Sequence, residues 1–195
     1  MLVTELLGPT LEDLFNLCKR KFSLKTVLQI AIQMISRIEY MHAQSLIHRD
    51  IKPANFLIGR DQRKGIIHIM DYGLSKRFRD PETKEHHKFE TNKGVTGTVR
   101  YQSINSQQGN STSRRDDLEC LSYVLIYFLI GRLPWSGVKA SNKALKYKKI
   151  LEIKKKGVVE LKKGMYELSI GHYEKCITLI DQFSENNPKD NLSLL

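Results

Sequence analysis

The stretch His48-Arg49-Asp50-Ile51-Lys52-Pro53-Ala54-Asn55, continued by Phe56-Leu57-Ile58-Gly59, decides how the rest of this chain is read. After a polar interval come Ile66-Ile67-His68-Ile69-Met70 and then Asp71-Tyr72-Gly73. Two short β-branched-rich runs, separated by a loop bounded by Gly59 and Gly65, predict a β-hairpin. Strand pairing would set Asn55, just before the first strand, beside Asp71, just after the second. An amide oxygen next to a carboxylate is a hard oxygen site, suited to Mg²⁺ arriving on phosphate groups. Asp50 and Lys52 lie in the loop leading into the same corner.

These residue types suit phosphoryl transfer, whose loose transition state asks the protein mainly to position groups and neutralise charge. Asp50 would accept a hydrogen bond from an incoming hydroxyl and hold it in line with the γ-phosphate. Lys52 would point its ammonium at the transferring group, and Asn55 and Asp71 would hold the metal. The His-Arg-Asp loop with its Asn and the Asp-aromatic-Gly triplet together resemble the protein-kinase signature. The competing reading is a polar turn before a hairpin with an unrelated Asp after it. Matching offsets in the matching strand context favour the kinase-type site.

Composition sets the frame. The 195 residues are enough for one domain with a core, and 41% hydrophobic with 27% charged residues is ordinary for a globular protein. No apolar run reaches membrane-spanning length; the longest, Leu121 to Ile130, contains Ser122. No signal peptide is visible at the N-terminus. Three cysteines (Cys18, Cys120, Cys176), odd in number and far apart, point to reduced thiols and a cytoplasmic or nuclear setting, without a disulfide frame or zinc site. The net charge of +11, from 32 Lys+Arg against 21 Asp+Glu, attracts polyanions in general. No nucleic-acid fold signature accompanies it, so nucleic acid is not the expected partner.

In chain order, Leu2–Leu6 reads as a short strand broken by Gly8-Pro9, and Thr10-Leu11-Glu12-Asp13 as a capping box opening a helix to about Cys18. From Leu24 to Ala43 an apolar stripe at Leu24, Val27, Leu28, Ala31, Met34, Ile35, Ile38 and Met41 predicts a five-turn amphipathic helix delivering the chain to His48. Leu74 to about Val95 lacks periodicity and is expected to be a long exposed loop, a kind that is usually functional. Leu118 to Ile130 reads as a helix buried on every side and stopped by Gly131, with Leu133-Pro134-Trp135 as a turn bearing an apolar anchor. Lys139 to Lys163 holds ten lysines and no arginine; Asn142–Ile153 within it would be helical, with Leu145, Ile150 and Ile153 inward. A weaker helical pattern spans Tyr166–Phe183, and 184–195 is expected to be a disordered tail.

Further blocks make the resemblance specific. Thr96-Gly97-Thr98-Val99-Arg100-Tyr101 precedes Ser103-Ile104-Asn105, which stands where most kinases carry Ala-Pro-Glu. With Glu5-Leu6-Leu7-Gly8-Pro9, Leu11-Glu12-Asp13-Leu14-Phe15, Ser113-Arg114-Arg115-Asp116-Asp117-Leu118-Glu119 and Leu133-Pro134-Trp135, the chain resembles the C-terminal lobe of a casein kinase I type serine/threonine kinase. The match runs to about Lys156 and more loosely to about Leu179. It implies a mainly helical α+β fold over 1–183, with a small hairpin at the active loop. It implies ATP and Mg²⁺ as cofactors, and acidic or pre-phosphorylated proteins as substrates. By the same resemblance, Glu5 and Leu7 would meet adenine, Leu57 would floor its pocket and Asp13 would lie near the ribose. Thr98 would bond Asp50 and Lys52, and Asp117 would anchor the catalytic loop. Arg49, Lys76, Lys93, Arg100, Gly137 and Lys146 match the family's anion-binding positions, where convergent cations hold phosphate through charge-assisted hydrogen bonds.

The sequence also departs from the pattern. Tyr72 replaces Phe, adding a hydroxyl that needs a partner. Ala54 stands where relatives carry Asp, and Ser122 replaces a helical Gly. There is no Gly-rich phosphate loop, no strand lysine of the Val-Ala-Ile-Lys kind and no helix glutamate to pair with it, and kinase turnover depends on that pair. The expectation is a lobe starting at the hinge, without an N-terminal lobe and with little activity alone. Two rival functions stay open: a non-catalytic kinase-like binding module, or a basic nucleic-acid or membrane-surface binder using Lys139–Lys163.

Overall fold

A computed structural model describes residues 5–162, with side chains through residue 158. The strand expected to start at Leu2, the helix at Tyr166–Phe183, the tail 184–195 and Cys176 therefore lie wholly or partly outside the described residues. Contacts divide the chain after Leu151, and the first unit holds every element but the second half of the last helix.

Helix α1 (Leu11–Leu17) opens on the expected capping box: the Thr10 hydroxyl accepts the Asp13 amide, and the Asp13 carboxylate accepts the Thr10 amide. Helix α2 (Leu24–Ala43) has the predicted bounds, capped by Ser23. Its buried stripe is Val27, Ile30, Ala31, Met34, Ile38 and Met41. Leu24 and Ile35, assigned to that face by periodicity, are 40% and 47% exposed, while Ile30 is buried in their stead. The inward face is thus narrower and turned slightly from the one predicted.

Strand β1 (Leu46–Ile47) leads into the active loop, and strands β2 (Phe56–Ile58) and β3 (Ile67–Ile69) form the predicted hairpin, paired Phe56 with Ile69, Leu57 with His68 and Ile58 with Ile67. The segment after Leu7 docks on its outer edge, with Gly8 N donating to Ile58 O (2.8 Å) and Ile58 N to Pro9 O (3.1 Å). The long loop after Gly73 is exposed over most of its length. It nevertheless begins with strand β4 (Lys76–Arg77), which pairs antiparallel with β1, and then buries Phe78. A two-residue strand leaves no periodic trace, so sequence could not announce it.

Helix α3 (Ile104–Gln107) is a single turn capped by Ser103, and α4 (Arg114–Ile130) packs on α2. The expectation that α4 is buried all round fails. Cys120, Leu121, Val124, Tyr127 and Phe128 are inside, but Leu118 is 48% and Ile130 65% exposed. Apolar side chains also occur singly on protein surfaces, and hydropathy alone cannot assign them a side. Gly131 ends α4 in the left-handed region (φ 86°), as a C-terminal cap requires. Ser122, the helical Gly replacement, returns its hydroxyl to the Glu119 carbonyl (2.8 Å). Phe15, Phe22, Tyr127 and Phe128 form an aromatic cluster with ring centres about 5 Å apart. Trp135 is the predicted anchor, buried and donating Nε1 to Arg100 O at 2.7 Å. Helix α5 (Lys143–Lys162) starts on Asn142, whose side chain accepts the Leu145 amide. It buries Ile150, with Ile153 half-buried, but leaves Leu145 42% exposed, against expectation.

Candidate active site

The loop from His48 to Asn55 is shaped by buried polar partners. Asp117, 1% exposed at the start of α4, accepts His48 N at 2.8 Å and Arg49 N at 2.9 Å, and its Oδ2 lies 2.9 Å from His42 Nε2. The carboxylate thereby fixes two consecutive amides of the loop, the anchoring expected of it. His48 is fully buried, with Nδ1 facing the Asp50 amide (3.2 Å) and Nε2 facing the Met70 carbonyl (3.0 Å). The Asp50 amide can only donate and the Met70 carbonyl only accept, so Nδ1 accepts and Nε2 donates. His48 thus ties the loop to the end of β3. Arg49 takes a left-handed conformation (φ 68°) and donates Nε to Leu74 O, fastening the loop to the segment after Gly73.

Four of the five expected catalytic residues meet directly. Lys52 Nζ lies 2.5 Å from Asp50 Oδ2, and Asn55 Nδ2 donates to Asp50 O at 2.9 Å. Thr98 closes the group from the far loop, its amide and hydroxyl both donating to Asp50 Oδ1 at 2.8 Å. The expected Thr98 bond to Asp50 is present, whereas Lys52 pairs with Asp50 instead of Thr98. Burial pushes the Asp50 carboxyl up, but Lys52 and Thr98 outweigh it and hold the group below the ordinary carboxylate range. Asp50 is therefore an ionised acceptor already oriented by three donors.

Asp71 is brought alongside by the backbone. Met70 N donates to Asn55 O (2.8 Å), which sets Asp71 one residue beyond the end of the ladder. It is left-handed (φ 64°, ψ 69°), a costly conformation outside Gly, and its exposed carboxylate takes no hydrogen bond from a described residue. Tyr72 gives its added hydroxyl to Ile69 O (2.8 Å), the partner the substitution required.

These residues fit a hard cation. The Asn55 amide nitrogen is committed to a carbonyl, which leaves its oxygen as the free end, and the Asp71 carboxylate is open to ligands. Among the described residues there is no group of three or more His, Cys, Asp or Glu that could hold a metal. A magnesium ion on Asn55 and Asp71 would thus take its other ligands from phosphate and water, as this ion commonly does.

The residues expected around adenine divide. Glu5 and Leu7 line a recess of about 370 Å³ with Leu6, Arg60, Asp61 and Arg63. The Glu5 carboxylate pairs with Arg63 at 2.5 Å. Leu57 and Asp13 do not line that recess. Leu57 lies opposite Thr10 in an isolated bridge, and Asp13 spends its carboxylate on the Thr10 amide and hydroxyl, which hold it below the ordinary range.

The basic positions divide as well. Arg49, Lys76 and Lys93 line one cleft of about 840 Å³ together with Arg77, Lys88, Arg115 and the pair His86–His87. Arg100, Gly137 and Lys146 do not line it. The Arg100 guanidinium sits over the Tyr101 ring, 6.0 Å from its centre, and Lys146 is exposed on α5.

Ser103-Ile104-Asn105 and Asp116 stand as separate blocks in the sequence, but in the fold they form one lock, which sequence reasoning missed. The buried Asp116 carboxylate accepts Ser103 Oγ (2.6 Å), Asn105 Nδ2 (3.1 Å) and Ser113 N (2.7 Å), while Glu119 accepts the Ile104 amide (2.8 Å). Only the coincidence of two carboxylates three apart with a Ser-x-Asn upstream hinted at this. Gly97 is the other missed feature: its φ is +95°, and a Cβ there would come 2.5 Å from Arg49 O. A side chain would push Thr98 away from Asp50.

The comparison with known families agrees with this geometry: the family model described as protein kinase domain matches residues 1–195.

Proposed function

The chain belongs to the protein kinase family, and within it we propose a serine/threonine kinase of the casein kinase I type. It would transfer the γ-phosphoryl group of ATP to Ser or Thr of acidic or already phosphorylated proteins. The observation that carries this reading is the Asp50 carboxylate held by Lys52 and Thr98 at the mouth of a loop pinned by Asp117. Asp50 is the acceptor that orients the substrate hydroxyl. Lys52 stays against Asp50 until the transferring group draws its charge. Asn55 and Asp71 are the oxygen donors for magnesium, which when bound neutralises charge on the phosphates. Glu5 and Leu7 would offer backbone groups to adenine; Leu57 and Asp13, which lie outside their recess, are assigned to its floor and to the ribose by the resemblance alone. Arg49, Lys76 and Lys93 form one part of the site for a substrate's existing phosphate, and Arg100, Gly137 and Lys146 a second part.

Ser103-Ile104-Asn105 in place of Ala-Pro-Glu supports the subfamily, and its lock onto Asp116 gives the replacement a structural task. The sequence offers no Gly-rich phosphate loop and no strand lysine of the Val-Ala-Ile-Lys kind with a helix glutamate to pair with it. These 195 residues alone should therefore turn over slowly. The test is prolonged incubation with labelled ATP, Mg²⁺ and peptides that are neutral, acidic or phosphorylated upstream of a serine. Slow labelling of serine in the acidic or phosphorylated peptides, abolished by Asp50→Asn, is expected. Labelling of tyrosine, or labelling unchanged in Asp50→Asn, would refute the assignment.

A second reading is favoured by the basic cleft, which is lined by none of the residues assigned to nucleotide or metal: a kinase-like binding module that captures phosphorylated proteins without phosphorylating them. Phosphopeptide binding with no measurable affinity for Mg·ATP would select it.

A further inference from the structure

The cleft lined by Arg49, Lys76 and Lys93 contains a carboxylate. Glu90 lines the same walls, and its Oε2 is ion-paired with Lys93 Nζ. Lys93, and more weakly Lys76, hold the Glu90 carboxyl below the ordinary carboxylate range. The backbone around the pair is fixed to the opposite wall. Glu90 N donates to Ser111 Oγ (3.0 Å), Ser111 N to Glu90 O (2.8 Å) and Lys93 N to Gly109 O (2.6 Å). Both side chains therefore spring from an anchored strip of chain, although each is about half exposed to water. An acidic side chain tethered this way acts at a high effective concentration.

We propose that Glu90 is a specificity-determining residue of the cleft, a built-in counter-anion that occupies Lys93 and must be displaced by an incoming phosphoryl group. The inference rests on the reading of this cleft as a phosphate site. A phosphoryl group carries close to two charges and three acceptor oxygens, and can engage Arg49 and Lys76 while it replaces Glu90 at Lys93. Its affinity is then lower than the cations alone would give, because each binding event breaks an internal pair and brings like charges together.

The test uses the full chain, a phosphoserine peptide and its unphosphorylated counterpart, with binding followed by fluorescence anisotropy at low salt. The variants are Glu90→Gln, Lys93→Gln and the double substitution. Glu90→Gln should tighten phosphopeptide binding about threefold to tenfold, the scale of one nearby charge across solvent, and leave the plain peptide unchanged. In the Lys93→Gln background the same substitution should gain less, since part of its effect runs through Lys93. Equal or weaker phosphopeptide binding by Glu90→Gln, with the wild-type preference for phosphate intact, overturns the inference and leaves the cleft reading standing. An undiminished gain in the Lys93→Gln background overturns the occupation of Lys93. If neither wild type nor Glu90→Gln separates the two peptides, the phosphate site itself fails and the inference with it.

Discussion

The active loop and the basic cleft share Arg49 and lie on adjoining stretches of chain, yet they are built on opposite principles. In the loop the polar groups are buried and already paired: Asp50 with Lys52 and Thr98, the His48 and Arg49 amides with Asp117, His48 with Met70 O. In the cleft most of the charged side chains face water, and the Glu90–Lys93 ion pair is half exposed. The difference is one of preorganisation. Buried groups must be satisfied in the folded state, so breaking one link leaves others stranded at full cost. Exposed groups are screened and can exchange partners cheaply, which suits reversible capture of a ligand.

If that contrast holds, Asp117→Ala is the most damaging single change. It strands the His48 and Arg49 amides and the His42 ring, at about 1–3 kcal/mol for each buried group left unpaired. Chemical denaturation should show at least ~3 kcal/mol lost; a loss under ~1 kcal/mol would mean the loop does not depend on this anchor. Gly97→Ala comes next. Its left-handed backbone and the Arg49 carbonyl in the way of a Cβ should cost about 2–3 kcal/mol. A lowered melting temperature together with a raised Asp50 pKa would show that the damage travels through Thr98.

Acid stability sharpens the comparison. Asp50 is depressed in the folded state, so its contribution is full above the unfolded carboxylate pKa of about 3.9 and disappears as pH falls through the lower folded value. Thr98→Val removes one of the bonds that depress it, and should flatten the loss of stability as pH falls below the unfolded carboxylate value. An unchanged acid limb would show that Thr98 does not hold the charge. At the small end, Lys93→Gln should change stability by less than about 0.5 kcal/mol while weakening phosphopeptide binding about fivefold. A large stability loss would make the cleft a structural network after all.

The same contrast explains what the sequence could and could not tell. The α2 stripe, the Thr10–Asp13 cap, the β2–β3 hairpin and the Gly131 stop were legible because each rests on a local period or a local conformational preference. The Asp50–Lys52–Asn55 group was legible because its members lie close together in one loop. The Asp116 lock and the β1–β4 pair join residues distant along the chain, and no spacing rule encodes them; the Thr98–Asp50 bond, likewise distant, was reached only through the family resemblance. The exposed faces of α4 and of Leu145 were misread because apolar character alone does not say which side meets water. The gathering of Arg49, Lys76 and Lys93, and the separation of Arg100, Gly137 and Lys146 from their cleft, likewise needed the fold. So did Glu90, an acidic residue that composition counts as a mere offset to positive charge.

Asp50, Lys52, Asn55 and Asp71 are proposed to form a site for the magnesium-bearing phosphates of a nucleotide. The most direct measurement is calorimetric binding of a non-hydrolysable ATP analogue to the full chain, with and without Mg²⁺, in wild type and Asp71→Asn. Tighter binding with Mg²⁺ in the wild type, and no metal effect in Asp71→Asn, is the predicted result. Binding that ignores both the metal and Asp71, or no binding at all, would contradict it.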